Sequence, residues 1–179
     1  MMILRYLYVF ILIFFLSGCA LLNLKTNETD LSKKWTISVC GKDIKVTPQS
    51  NPILLYQNMI RCIEYHQYNH AVMLFSLAGT YSYFDFYRMS QGVNAHFHNR
   101  LLKNAMQLLD QEQKNIFEAH LNRILTNELS LTKICSQVKK IGMPMYIQNY
   151  MNANQVFDID IDSTKNWENA LQGYLHCRM

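Results

Sequence analysis

Apolar positions along this chain follow three patterns. Residues 1–18 are apolar at fifteen positions, with Arg5 their one charge. Residues 35–46 alternate: Ile37 and Val39, then Ile44 and Val46, flank Gly41-Lys42, which predicts a small β-hairpin with Gly first in a two-residue turn. From residue 51 onward the repeat lengthens to that of a helix. Asn51 before Pro52 is a cap with Pro at the first helical position, and Ile53, Tyr56, Ile60 and Ile63 define one buried face through about His66. Asn69 can cap a second helix carrying Ala71, Leu74, Phe75, Ala78 and Tyr81, packed on the first as a hairpin. Gly92 breaks the pattern, and a third helix from about Asn94 holds Phe97, Leu101, Met106 and Leu108 or Leu109. Asp110 to Gln113 reads as a capping box opening a fourth helix with Phe117, Leu121, Ile124 and Leu125 inward. Ser130 caps a fifth that ends at Gly142 before Pro144. Residues 143–161 have no clear period, and Asp162 or Ser163 caps a last helix with Trp167, Ala170, Leu171 and Tyr174. The expected fold is mainly α: a helical bundle or stacked helical hairpins with a small N-terminal β-hairpin.

The apolar leader changes the picture first. Tyr6 to Leu16 is an uninterrupted run of eleven apolar residues, about half of what a bilayer-spanning helix needs. Leu16-Ser17-Gly18-Cys19 follows, and this segment resembles the lipobox of bacterial lipoproteins. The resemblance implies a signal peptide at 1–18, cleavage before Cys19, diacylglycerol on the Cys19 sulfur and a fatty acid such as palmitate on its new amine. Several acyl chains anchor stably where one binds marginally. Ala20 after the lipidated Cys implies sorting to the outer membrane, facing the periplasm. Residues 19–34 then form the lipidated Cys and tether, and 35–179 a single helical domain.

Composition narrows the partners. Seventeen Lys and Arg against 13 Asp and Glu give +4, or +3 without Arg5, too weak a charge to imply nucleic acid. Assigning Cys19 to lipid leaves Cys40, Cys62, Cys135 and Cys177, an even four in an oxidising compartment. They allow three disulfide connectivities, and the shorter separations favour Cys40 with Cys62 and Cys135 with Cys177. No close ligand pair among them suggests zinc.

Local chemistry is sparse. His66 and His70, four apart, would share a face of one continuous helix, with His96 or His98 as a third metal ligand, but Asn69 falls as a helix start between the first two. Asp158, Asp160 and Asp162 resemble the opening of a calcium loop, yet Ser163 replaces its turn glycine and Asn169 its bidentate Glu. Asp85 and Arg88 are spaced for a helical ion pair. No GxSxG, P-loop, HExxH or dinucleotide fingerprint appears, so the chain reads as a non-enzyme without a cofactor. Tyr68-x2-Ala71-x3-Phe75-x2-Ala78 resembles the second helix of a tetratricopeptide repeat over half of one repeat, with Met59 where a small residue belongs on the preceding helix. The implication is a helical hairpin of similar packing.

Tyr146, Tyr150, Phe157, Asp158 and Asp160, in the irregular segment, are candidate partner-binding residues, because aromatic side chains on loops serve as interface anchors. The alternative for these aromatics is a flap covering the bundle. The expected role is a lipid-anchored periplasmic module that binds a protein partner, with immunity against a toxin delivered to the envelope as the specific case. An envelope assembly or structural lipoprotein and a metal-dependent envelope hydrolase using His66, His70, His96 or His98 are the alternatives.

Overall fold

Asn51 is extended (φ −76°, ψ 162°) and its Oδ1 accepts from the Leu54 backbone N–H at 2.9 Å, so α1 (Pro52–Glu64) starts where the Asn-Pro pair puts it. The computed structural model describes residue 40 and residues 46–88, 96–146 and 163–178, the side chains of residues 96 and 97 excepted. The leader, Cys19, the tether and most of the expected hairpin therefore lie outside the described residues, as do Tyr150, Phe157, Asp158 and Asp160.

A Schellman turn ends α1. Gln67 donates its N–H to the Cys62 carbonyl at 2.8 Å and His66 donates to Ile63 at 2.9 Å, while His66 holds the left-handed backbone (φ 56°) that usually falls to glycine. That turn leaves one residue, Gln67, before α2 (Tyr68–Tyr87), so the helix begins ahead of Asn69 and no side chain caps it. The Gln67 side chain is engaged elsewhere, accepting from the Cys40 N–H at 3.2 Å.

α2 is the hub. It packs along α1 and also meets α3 (His96–Met106), α4 (Gln111–Leu125), α5 (Glu128–Ile141) and α6 (Ser163–Leu175). Its residues are buried on every side from Ala71 to Asp85, interrupted only by the partly covered Phe75 and Tyr83. Such a helix shows no one-sided stripe, because no face is left to water. Its buried hydroxyls bond backward within the helix, Thr80 to the Ser76 carbonyl at 2.8 Å and Ser82 to the Ala78 carbonyl at 2.9 Å. On α1 the inward face is Leu55, Tyr56, Met59, Cys62 and Ile63, whereas Ile53 sits at the edge of the stripe, in the first turn, and is 36% exposed.

The remaining helices follow their caps. Asp110 and Gln113 close a reciprocal capping box at α4, with bonds of 2.8 and 3.1 Å. Asn127, not Ser130, caps α5: it accepts the Ser130 N–H at 2.9 Å, which puts Ser130 inside the first turn. Gly142 (φ 96°) ends α5 as its position before Pro144 predicts. Between α3 and α4, Leu109 is the inward residue and Leu108 is exposed. No strand occurs among the described residues. Two disulfides link this frame, Cys40 to Cys62 (Cα separation 4.9 Å) and Cys135 to Cys177 (5.7 Å), the pairing the shorter separations favour. No helix among the described residues is long and apolar enough to cross a membrane.

Candidate functional site

Histidines are the first test of site chemistry, and the fold separates them. His66 lies in the turn after α1 and its Nδ1 is 3.2 Å from the Tyr68 hydroxyl. His70 lies on the first turn of α2, beside a cavity of about 420 Å³ shared with Lys133 and Gln137. His98 is turned into the bundle, while of His96 the backbone alone is described. The Schellman turn breaks the helix that would have aligned His66 with His70, so the metal face of the alternative hydrolase reading does not form among these residues. Among the described residues no three His, Cys, Asp or Glu side chains converge.

His98 belongs to an aromatic cluster joining four helices. Its Nδ1 is 3.2 Å from the Tyr56 hydroxyl, and its ring meets those of Tyr83 and Tyr174 edge to face at 5.7 and 5.2 Å. Burial lowers its pKa to about 4, so the imidazole is neutral at ordinary pH. Burial, and then the neighbouring Tyr174 hydroxyl, push Tyr56 well above the usual phenol value. Tyr174 is raised too, by burial first and Tyr83 second, and its hydroxyl has no well-aligned hydrogen bond. Beneath Tyr174 lies Gly79, where a Cβ would overlap the phenol ring. Neutral rings, Tyr56 buried and the other three half-buried, make this cluster a joint between helices.

A second buried group explains Asp85. Its carboxylate, fully covered, accepts from the Tyr146 hydroxyl at 2.5 Å, and Tyr146 also packs its ring 5.9 Å from Tyr81. Burial and then Asp85 raise the Tyr81 pKa, and the Tyr81 hydroxyl donates to the Gly142 carbonyl at 2.9 Å. Tyr146 is thus half-buried, with its hydroxyl held on Asp85. Arg88 does not pair with Asp85; its guanidinium lies over the Phe84 ring at 5.1 Å.

Two surface features remain. Around the Cys135–Cys177 disulfide a groove of about 720 Å³ is lined by Lys139, His176, Arg178 and Glu128 among others. The C-terminal residues bridge it, Arg178 pairing with Glu128 at 2.8 Å and Lys139 donating to the Arg178 carbonyl at 2.9 Å. The other feature is a connected strip across the α1–α2 turn and α4. His66 reaches the Tyr68 hydroxyl, Tyr68 stacks on His120 (centroids 4.6 Å apart, planes 17° apart), and Arg123 donates to His120 Nδ1 at 2.7 Å. Because guanidinium can only donate, His120 is an acceptor at Nδ1 and carries its proton on Nε2. Partial burial, then the Arg123 charge, hold His120 below the usual histidine value.

Of the residues in this strip, only His66 stands out in the sequence, and as a metal ligand. Tyr68 is absorbed by the repeat-like pattern, and His120 and Arg123, three apart on α4, carry a helical spacing that any exposed ridge would share. Compared with protein-family models, curated proteins and solved structures, the chain has no match.

Proposed function

We propose that this chain is a lipid-anchored periplasmic module that binds a protein partner, and that the partner is a toxin delivered to the envelope. One observation carries the reading. Two disulfides take four of the five cysteines, and the one left over is Cys19, the residue that the lipobox-like Leu16-Ser17-Gly18-Cys19 reserves for lipid. Disulfides persist in oxidising compartments, which agrees with that address. Anchoring raises the module's effective concentration in the thin layer a delivered toxin must cross.

The test has two readouts. Radiolabelled palmitate should enter the full chain and fail to enter Cys19→Ser. The lipidated protein, purified in detergent, should form a stoichiometric complex with the product of an adjacent reading frame, measured by light scattering after gel filtration, and its loss should sensitise cells to that product directed to the periplasm. Normal survival and no complex would remove the toxin role.

A further inference from the structure

The strip His66–Tyr68–His120–Arg123 has the features of a recognition surface. Tyr65, immediately before it, is 60% exposed, and His66 and Arg123 are exposed as well. Aromatic side chains and arginine are the residues in which interface hot spots are richest. Stacking of Tyr68 on His120 and the bond from Arg123 hold the group in one arrangement before any partner arrives, which lowers the entropy lost on binding. The Cys40–Cys62 disulfide and the Schellman turn fix the backbone on which Tyr65, His66 and Tyr68 stand.

One observation shows what the strip lacks. Arg123 has no carboxylate partner among the described residues; its one close polar neighbour is an imidazole nitrogen, which cannot neutralise it. A guanidinium held this way presents its remaining donors for an anion such as a carboxylate, whose two oxygens its fork can engage. His66, for its part, occupies a left-handed position where glycine is the unstrained choice. In that conformation its side chain lies in the strip, with Nδ1 3.2 Å from the Tyr68 hydroxyl.

Resting on the binding-module reading above, we propose that Tyr65, His66, Tyr68, His120 and Arg123 form the docking surface for an acidic segment of the partner protein, whose carboxylate pairs with Arg123 while its apolar neighbours lie on the exposed rings. A protein fits this strip better than an anionic membrane does. Lipid surfaces attract clusters of several Lys and Arg, whereas the strip itself holds one cation, Arg123, and of the exposed charges flanking it Arg61 and Glu64 on α1 offset each other and Glu118 on α4 is acidic.

Site-specific photo-cross-linking in the full-length lipidated protein, in its own cells, tests this. Benzoylphenylalanine replaces Tyr65 in one strain and the exposed Leu129 of α5 in a control. The expected result is a protein adduct from position 65 and none from 129, with Asp or Glu close to the attachment point in the cross-linked peptide. Arg123→Glu should lower the adduct roughly ten-fold, and Arg123→Lys should retain part of it. His66→Gly should lower it while leaving the thermal midpoint unchanged or higher, an outcome a structural histidine would not give. Lipid adducts at 65, equal adducts at both positions, or an adduct indifferent to Arg123→Glu would each overturn the proposal. A stoichiometric toxin complex without the 65 adduct would remove this surface and leave the module reading intact, whereas loss of both would remove the module.

Discussion

Gly79 shows how a single hydrogen in place of a methyl group decides the packing of two helices. Alanine at an interior helical position ordinarily stabilises by about 0.5 to 1 kcal/mol over glycine. Here the Tyr174 ring occupies the place of the Cβ, so overpacking wins and Gly79→Ala should cost about 2 kcal/mol in urea denaturation. Tyr174→Ala frees that space, and in its background the same substitution should become stabilising, a reversal of sign that measures the contact directly. His98 gives a second residue-scale consequence. Its folded pKa is lowered to about 4 from an ordinary 6.5, so the unfolded chain binds a proton that the folded chain refuses. Stability is therefore full above pH 6.5 and falls as pH drops towards 4, by a total of about 3 kcal/mol, since each pH step between the two values is worth about 1.4 kcal/mol. His98→Phe, which keeps an aromatic ring without the titrating nitrogen, should flatten this part of the stability curve between those two pH values. A curve as steep as that of the parent would place the acid sensitivity elsewhere.

At the scale of elements, local chemistry decides where helices start only when nothing competes with it. Asp110 and Gln113 satisfy each other across the first turn of α4, and Asp110→Ala should cost about 1 kcal/mol in the same denaturation experiment, with Gln113→Ala costing less because it removes only the weaker half of the box. This box and the Asn51-Pro52 start were legible because the groups involved are adjacent in sequence. Asn69 and Ser130 are equally good caps by residue type, but the Schellman turn had already placed the start of α2 at Tyr68, and Asn127 took the cap of α5. Ile53 failed as a core residue for a related reason: the helical period places it on the right face, but only packing decides which edge of that face meets α2. For α2 itself the helices packed around it matter more than any period, since burial on all sides erases the pattern that reveals an amphipathic helix. The exposed strip was illegible on other grounds. Tyr68 and His120 lie on different helices, 52 positions apart, and only the folded chain stacks their rings. The inward turn of Tyr146 likewise depends on Asp85, buried on α2, and nothing within residues 143–161 signals it.

For the molecule as a whole, the disulfides set the conditions under which this bundle holds. Cys40–Cys62 spans 22 positions and Cys135–Cys177 spans 42, which by chain entropy correspond to about 3 and about 4 kcal/mol of stabilisation. The second bridge does more than close a long loop. His176 takes a left-handed backbone (φ 54°) just past α6, and Cys177 then ties the end of the chain to α5. The Arg178–Glu128 pair beside it is highly exposed on both sides and contributes little by itself. A domain of this size has a total stability of about 5 to 15 kcal/mol, so losing either bridge removes a large share of it. Cys135→Ser with Cys177→Ser should lower the unfolding free energy by about 4 kcal/mol, and dithiothreitol should lower that of the parent further, because it opens both bridges. The double variant in dithiothreitol should then fall to the level of the reduced parent. Equal stability of the parent with and without reductant would show that the helical core carries the fold alone, and would withdraw the argument that links this chain's stability to an oxidising compartment.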